Sequence, residues 1–217
     1  MPHDQPHMIS TFLTSMRISA ISASFLALAS QVTAQYLNQS DPFTLVLLSD
    51  TESLNGTTLY PCHEGAAIEA LCLGPSITQT NATFAVYHFN TSIYDTNPNT
   101  TIGQNGIISW DLHGANFNLT SPLGLSFSAT SNVAIPLFTP GTTDQTAVAF
   151  DENGLLNIQG YLDDTVVPVG FGTQAYYRWV VCDTYYGYAY TTLAWVVGED
   201  DPQNPTCVDV DVTRVFL

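Results

Sequence analysis

Residues 175–197 read AYYRWVVCDTYYGYAYTTLAWVV, and this stretch decides the fold class. Ala175 to Asp183 and Tyr188 to Val197 are rich in β-branched and aromatic residues at a period of two. Between them lies a tyrosine-rich tip around Gly187. That is the pattern of a hairpin, with Trp179 and Trp195 turned to the core and Tyr185, Tyr186 and Tyr188 at the tip. Working outward, the same period recurs in Phe43 to Leu47, Thr83 to Phe89, Ile107 to Leu112, Leu125 to Phe127 and Val133 to Phe138. It returns in Ala147 to Phe150, Leu155 to Ile158 and Cys207 to Phe216. Turn chemistry separates these runs: Asn55-Gly56, Asn97-Pro98, Asn105-Gly106, Pro140-Gly141 and Asp151-Glu152-Asn153-Gly154. Only Glu64 to Leu73, EGAAIEALCL, reads as helical, giving one short helix near Glu64 to Leu71. The expectation is an all-β chain, an antiparallel β-sandwich or barrel with one short helix.

At the other end of the chain, Met16 to Ala34 reads MRISAISASFLALASQVTA. One Arg, an apolar run and small residues at Val32 and Ala34 make this a secretory leader, too short to span a bilayer. Residues 1–34 are therefore expected to be a signal peptide, and 35–217 a single secreted β domain. Four cysteines, Cys62, Cys72, Cys182 and Cys207, lie in that domain. An even count in an oxidising compartment means two disulfides, and three connectivities are possible. Their clustering favours Cys62–Cys72 and Cys182–Cys207, because short loops close at least entropic cost. If Cys182 faces Cys207 across antiparallel strands, Val180 meets Asp209 and Arg178 meets Asp211. Acceptor triplets for N-glycosylation occur at Asn38, Asn55, Asn81, Asn90, Asn99 and Asn118, and none follows.

Charge narrows the function. The chain carries 19 Asp and Glu against 3 Lys and Arg, a net −16, and only Arg178 and Arg214 lie beyond the leader. Such a surface repels phosphate backbones and anionic lipid, so no nucleic-acid partner is expected, and no membrane association after leader cleavage. The absence of Lys excludes Schiff-base chemistry and a phosphate-binding loop.

A family resemblance enters at Thr58 to Ile68, TLYPCHEGAAI, which resembles a segment of filamentous-fungal secreted and cell-wall proteins, including phialide-type cell-wall proteins. Ala82 to Val86 and Asp151 to Leu156 resemble the same family's pattern, while the second half here is longer and richer in tyrosine. The resemblance implies a fungal β-protein of the cell surface or medium, and no activity.

Catalytic signatures are missing. There is no Gly-x-Ser-x-Gly elbow, and His63-Glu64 lacks the second His of a zinc-protease helix because Ala67 takes its place. His63, His88 and His113 fall in different settings. Asp151-Glu152, Asp163-Asp164, Glu199-Asp200-Asp201 and Asp209-x-Asp211 each fit a turn, a loop or a solvent face, although the Glu199–Asp201 loop has the oxygen donors calcium needs. No catalytic residue can be assigned from the sequence, and no metal or cofactor is expected. The leading reading is a secreted, N-glycosylated, disulfide-bonded extracellular or cell-wall protein without enzymatic activity. The alternatives are a β-barrel that binds or isomerises a small hydrophobic metabolite, and a carbohydrate-binding module. Tyr185, Tyr186 and Tyr188 form the candidate ligand face, with cell-wall polysaccharide or a small molecule as partner.

Overall fold

The computed structural model describes residues 36–76, 84–96 and 98–217. The expected leader and the Asn81 triplet lie outside these residues. Fifteen strands form: β1 (Asn38–Gln39), β2 (Phe43–Leu48), β3 (Thr57–Gly65), β4 (Ile68–Ser76), β5 (Tyr87–Thr91), β6 (Gly106–His113), β7 (Asn118–Phe127), β8 (Val133–Phe138), β9 (Ala149–Phe150), β10 (Leu156–Asp163), β11 (Gly170–Tyr176), β12 (Trp179–Tyr185), β13 (Ala189–Val196), β14 (Val208–Asp209) and β15 (Asp211–Phe216). There is no helix among the described residues, and none long and apolar enough to cross a membrane.

Eight of these strands close an antiparallel barrel. The path β5-β6-β7-β8-β13-β4-β3-β2 returns to β5 through the pairing of Phe43 with Tyr87. With β15 along β2 and β12 along β13, the barrel strands are left no free edge. Alternation then sends one face of each strand inward: Leu45 and Leu47, Leu59, Leu71, Tyr87 and Phe89, Ile108 and Trp110, Leu123, Phe138. Each such side chain contributes roughly 1.5–3 kcal/mol by leaving water. The fully buried Tyr87 hydroxyl donates to the Leu59 carbonyl at 3.1 Å, and burial pushes its pKa well above the usual tyrosine range.

The 175–197 segment is the expected hairpin, with β12 and β13 in register from Trp179↔Trp195 to Tyr185↔Ala189. Its first run divides before Trp179. Ala175 and Tyr176 belong to β11 and pair with Gln159 and Ile158 of β10, in a small second sheet of order β11-β10-β9. That sheet is keyed to the hairpin by Trp179, whose Nε1 donates to the Leu156 carbonyl at 2.8 Å.

The C-terminal run also divides. β14 pairs with β12, setting Val180 opposite Asp209 as expected. The buried Val210 then carries the chain across, and β15 pairs with β2 from Asp211↔Leu48 to Phe216↔Phe43. This strap removes Asp211 from Arg178, so the expected Arg178–Asp211 pair does not form. Arg178 instead lies 3.6 Å from Glu199 and donates to the Gly198 carbonyl. Both disulfides have the expected connectivity, with Cα separations of 5.8 Å for Cys62–Cys72 and 4.2 Å for Cys182–Cys207.

The short helix near Glu64 to Leu71 is a correction. These residues form the β3–β4 hairpin, with Cys62↔Ala70, His63↔Glu69 and Gly65↔Ile68 paired. The chain reverses at Ala66-Ala67, where Ala67 takes a left-handed φ of 59°. β4 is buried on both faces, Leu71 in the barrel core and Ala70 and Cys72 in a cluster with Leu137 outside it. A strand apolar on both faces has the same pattern as a buried helical turn. Likewise Phe84 to Val86, read as strand, precede β5.

Candidate functional site

Near the β3–β4 turn the inward face of the barrel changes character. Glu69 shares a strand face with Leu71 and Leu73, and His63 shares one with Pro61 and Leu59. The two polar residues are cross-strand partners, His63 Nδ1 lying 3.7 Å from Glu69 Oε1. The Glu69 side chain is only 11% exposed, against 56% for His63. Burial raises the Glu69 pKa above its ordinary 4.5, His63 opposes that shift, and the neighbouring Glu64 adds to it.

A cleft of about 310 Å³ opens here, lined by Tyr60, Pro61, Glu69, Phe84, Trp110, Asp111, Leu112 and His113. Trp110 is buried, and its Nε1 donates to the Phe84 carbonyl at 3.0 Å. That bond holds the backbone at the rim while the Phe84 ring stays 70% exposed. The polar side chains of the rim are also oriented. Thr120 donates to Asp111 Oδ1 at 2.6 Å, and His113 Nδ1 lies 2.9 Å from Asn118 Oδ1. Opposite Trp110 on β7, the buried Ser121 hydroxyl has no hydrogen-bond partner among the described residues. The cleft thus joins the exposed Phe84 ring and the buried Trp110 to one desolvated carboxylate and one at the rim. It suits a small ligand with an apolar face and a polar or charged end.

The tyrosine tip is docked beside this mouth. The buried Glu64 carboxylate accepts the backbone N–H groups of Gly187 and Tyr188 at 2.8 and 2.9 Å. Gly187 is required, since a Cβ there would sit 1.9 Å from the Glu64 carbonyl oxygen. Tyr188 reaches His63, ring centroids 5.5 Å apart. Tyr185, Tyr186 and Tyr188 are 74%, 44% and 50% exposed. Tyr188 alone of the three reaches the site, through His63, while Tyr186 lines a separate pocket with Leu125 and Leu137; the expected ligand face is therefore not the lining of this cleft.

A larger groove of about 670 Å³ lies elsewhere, around Arg178, Trp179, Asp50, Glu199, Asp200, Asp201, Asp209 and Asp211. Among the described residues no three His, Cys, Asp or Glu side chains converge as a metal centre. His88 sits apart, 3.4 Å from the Ser40 carbonyl. Of the acceptor asparagines, Asn38, Asn55, Asn99 and Asn118 are exposed. Asn90 is half-buried, its amide donating to Ser109 Oγ at 2.8 Å and to the Ile107 carbonyl at 3.4 Å.

The signal that would have found the cleft is the alternation of Glu69 with Leu71 and Leu73, legible once the segment is taken as a strand. No curated protein and no solved structure matches this chain. Residues 40–216 match the model of a family described as Domain of unknown function (DUF7907), and the chain belongs to that family.

Proposed function

We propose that the chain is a secreted, N-glycosylated extracellular protein that binds a small ring-bearing molecule at the mouth of its barrel and does not transform it. The observation that carries this reading is the cleft of about 310 Å³ whose lining includes the exposed Phe84 and the buried Trp110, at the lower end of the ~300–1,000 Å³ range of ligand pockets. Secretion is supported by the leader pattern at Met16 to Ala34, by two closed disulfides and by four exposed acceptor asparagines. The resemblance of Thr58 to Ile68 to fungal wall proteins supports a setting at the cell surface.

The test is to express the full chain in a secreting eukaryotic host, sequence the N-terminus of the exported protein, and titrate it with small cyclic ligands. The expected product begins at Gln35 and changes its tryptophan fluorescence on ligand addition, because Trp110 lines the cleft. A protein retained inside the cell rejects the extracellular reading. Fluorescence unmoved across neutral, cationic and anionic rings rejects the binding reading.

The exposure of Tyr185, Tyr186 and Tyr188 favours a second reading, in which the tip stacks on a neutral wall polysaccharide. Retention on insoluble glucan or chitin, lost in Tyr185→Ala, would favour it over the mouth.

A further inference from the structure

We propose that the mouth selects an organic ammonium cation, a quaternary or substituted amine carried on a small apolar ring. This rests on the mouth being the binding site proposed above. The exposed Phe84 ring and the buried Trp110 line one cleft, and ring faces attract cations, indole most strongly. Two carboxylates, Glu69 and Asp111, line the same space. Glu69 is nearly nine-tenths buried and its ion-pair partner is the exposed His63, so its desolvation is met by no fixed positive charge. Burial accordingly raises its pKa, and a cation entering the cleft would relieve that strain on the ionised form.

No Lys or Arg lines the cleft, and its one imidazole, His113, is turned to Asn118 at 2.9 Å. The chain has no Lys, and its two arginines beyond the leader are engaged elsewhere. Arg178 is held by Glu199 and the Gly198 carbonyl. The Arg214 guanidinium is packed over the Phe150 ring at 4.3 Å. A net charge of −16 draws cations and repels anions over distances longer than any contact. An inorganic cation is the poorer fit, since calcium takes six to eight oxygens and magnesium six, whereas the walls here are mostly carbon.

The experiment compares benzyltrimethylammonium with its uncharged isostere neopentylbenzene and with the anion phenylmethanesulfonate, on the intact secreted protein at two salt concentrations. The ammonium is expected to bind about tenfold more tightly than the neutral isostere, to weaken with salt, and to outcompete the anion entirely. Phe84→Ala should weaken it several-fold while leaving thermal unfolding unchanged, because that ring is 70% exposed. Glu69→Gln and Asp111→Asn should each shrink the gap between cation and isostere. Should the isostere bind equally well and still lose affinity in Phe84→Ala, charge selection is wrong and the mouth remains the site. Binding that ignores Phe84→Ala, or no binding of any of the three, removes the mouth reading and this inference with it.

Discussion

The β3–β4 and β12–β13 hairpins are built alike and end differently. Each contributes an inward face to the barrel core and carries a disulfide on its outer face, within a small apolar cluster of its own. On β12 and β13 the same face carries Trp179, Val181, Leu193 and Trp195 in the core and then the exposed, hydrogen-bonded pair Asp183 and Thr191. The two tryptophan rings meet edge to face with centroids 4.8 Å apart, and the interior there is solid. On β3 and β4 the inward series runs from Leu59 and Leu71 to His63 and Glu69, and at that change the barrel opens into the aromatic cleft. Both faces end in a carboxylate, exposed at Asp183 and desolvated at Glu69, and the desolvated one marks the receptive end. Glu64 then fastens the two hairpins to each other.

The largest way to break this comparison is Trp179→Ala. The substitution removes a fully buried ring and leaves the Leu156 carbonyl unpartnered, for an expected loss of about 3–5 kcal/mol in urea denaturation. Phe84→Ala at the open end should cost under roughly 0.5 kcal/mol. Equal losses would mean that both ends are packed alike.

Next come the disulfides. Replacing Cys182 and Cys207 together by Ser should cost about 3.5 kcal/mol and the Cys62/Cys72 pair about 2.7 kcal/mol, since they close loops of sequence separation 25 and 10. Chemical denaturation of both double variants checks the order, and a reversed order would mark the mouth as the stiffer end.

Glu64→Gln addresses the fastening. Its amide NH₂ or carbonyl must share a buried slot shaped for a carboxylate, with an expected cost of about 1–3 kcal/mol. Faster hydrogen exchange should appear at the Gly187 and Tyr188 amides in particular. Unchanged exchange there would show that the hairpins hold their relation by packing alone.

A smaller effect separates the two hairpins by pH. Burial raises the Glu69 pKa above 4.5, so the folded chain binds that proton more tightly than the unfolded chain does. The resulting stabilisation is complete below 4.5 and is lost as pH rises through the folded value. Glu69→Gln should flatten that decline in thermal midpoint as pH rises above 4.5, while Trp179→Phe keeps it. A decline of the same slope in Glu69→Gln would assign it to another group.

Glycan mapping is the mildest probe. Asn55, Asn99 and Asn118, which are exposed, should be occupied, and Asn90 should stay bare because Ser109 and Ile107 hold its amide. Asn90→Gln should leave the glycoprotein's mass profile unchanged, and a glycopeptide containing Asn90 would show that this part of the barrel admits a sugar.

What the sequence reveals follows from how each strand is buried. β2, β6, β8 and the β12–β13 hairpin are legible because long β-branched or aromatic runs sit between turn residues. The β3–β4 hairpin is not, since Ala66, Ala67 and Ala70 are small enough for helix or strand and β4 is apolar on both faces. That one misreading hides the cleft. On a helix Glu69 would be a solvent residue, and on a strand in register with His63 it faces the lumen. The disulfides are legible because their spacing alone orders the loop costs. The Val180–Asp209 register follows from Cys182–Cys207, but it stops short of Arg178 because Val210 turns the chain toward β2, a partner too distant in sequence for local spacing to indicate.

The strap has a consequence in time. β2 lies between β3 and β15 and needs both, yet the side chain of Thr44 meets the Val215 carbonyl across a separation of 171 residues. A growing chain holds β3 and β4 early and can oxidise Cys62 with Cys72 while synthesis continues. The outer flank of β2 must wait until residue 216 has been added. Until then an apolar edge from Phe43 to Leu48 is open to any other unfinished chain. Late closure of so distant a pair is slow. The order of synthesis thus leaves β2 without its outer partner for most of the chain's length, an interval in which a chaperone would shield that edge.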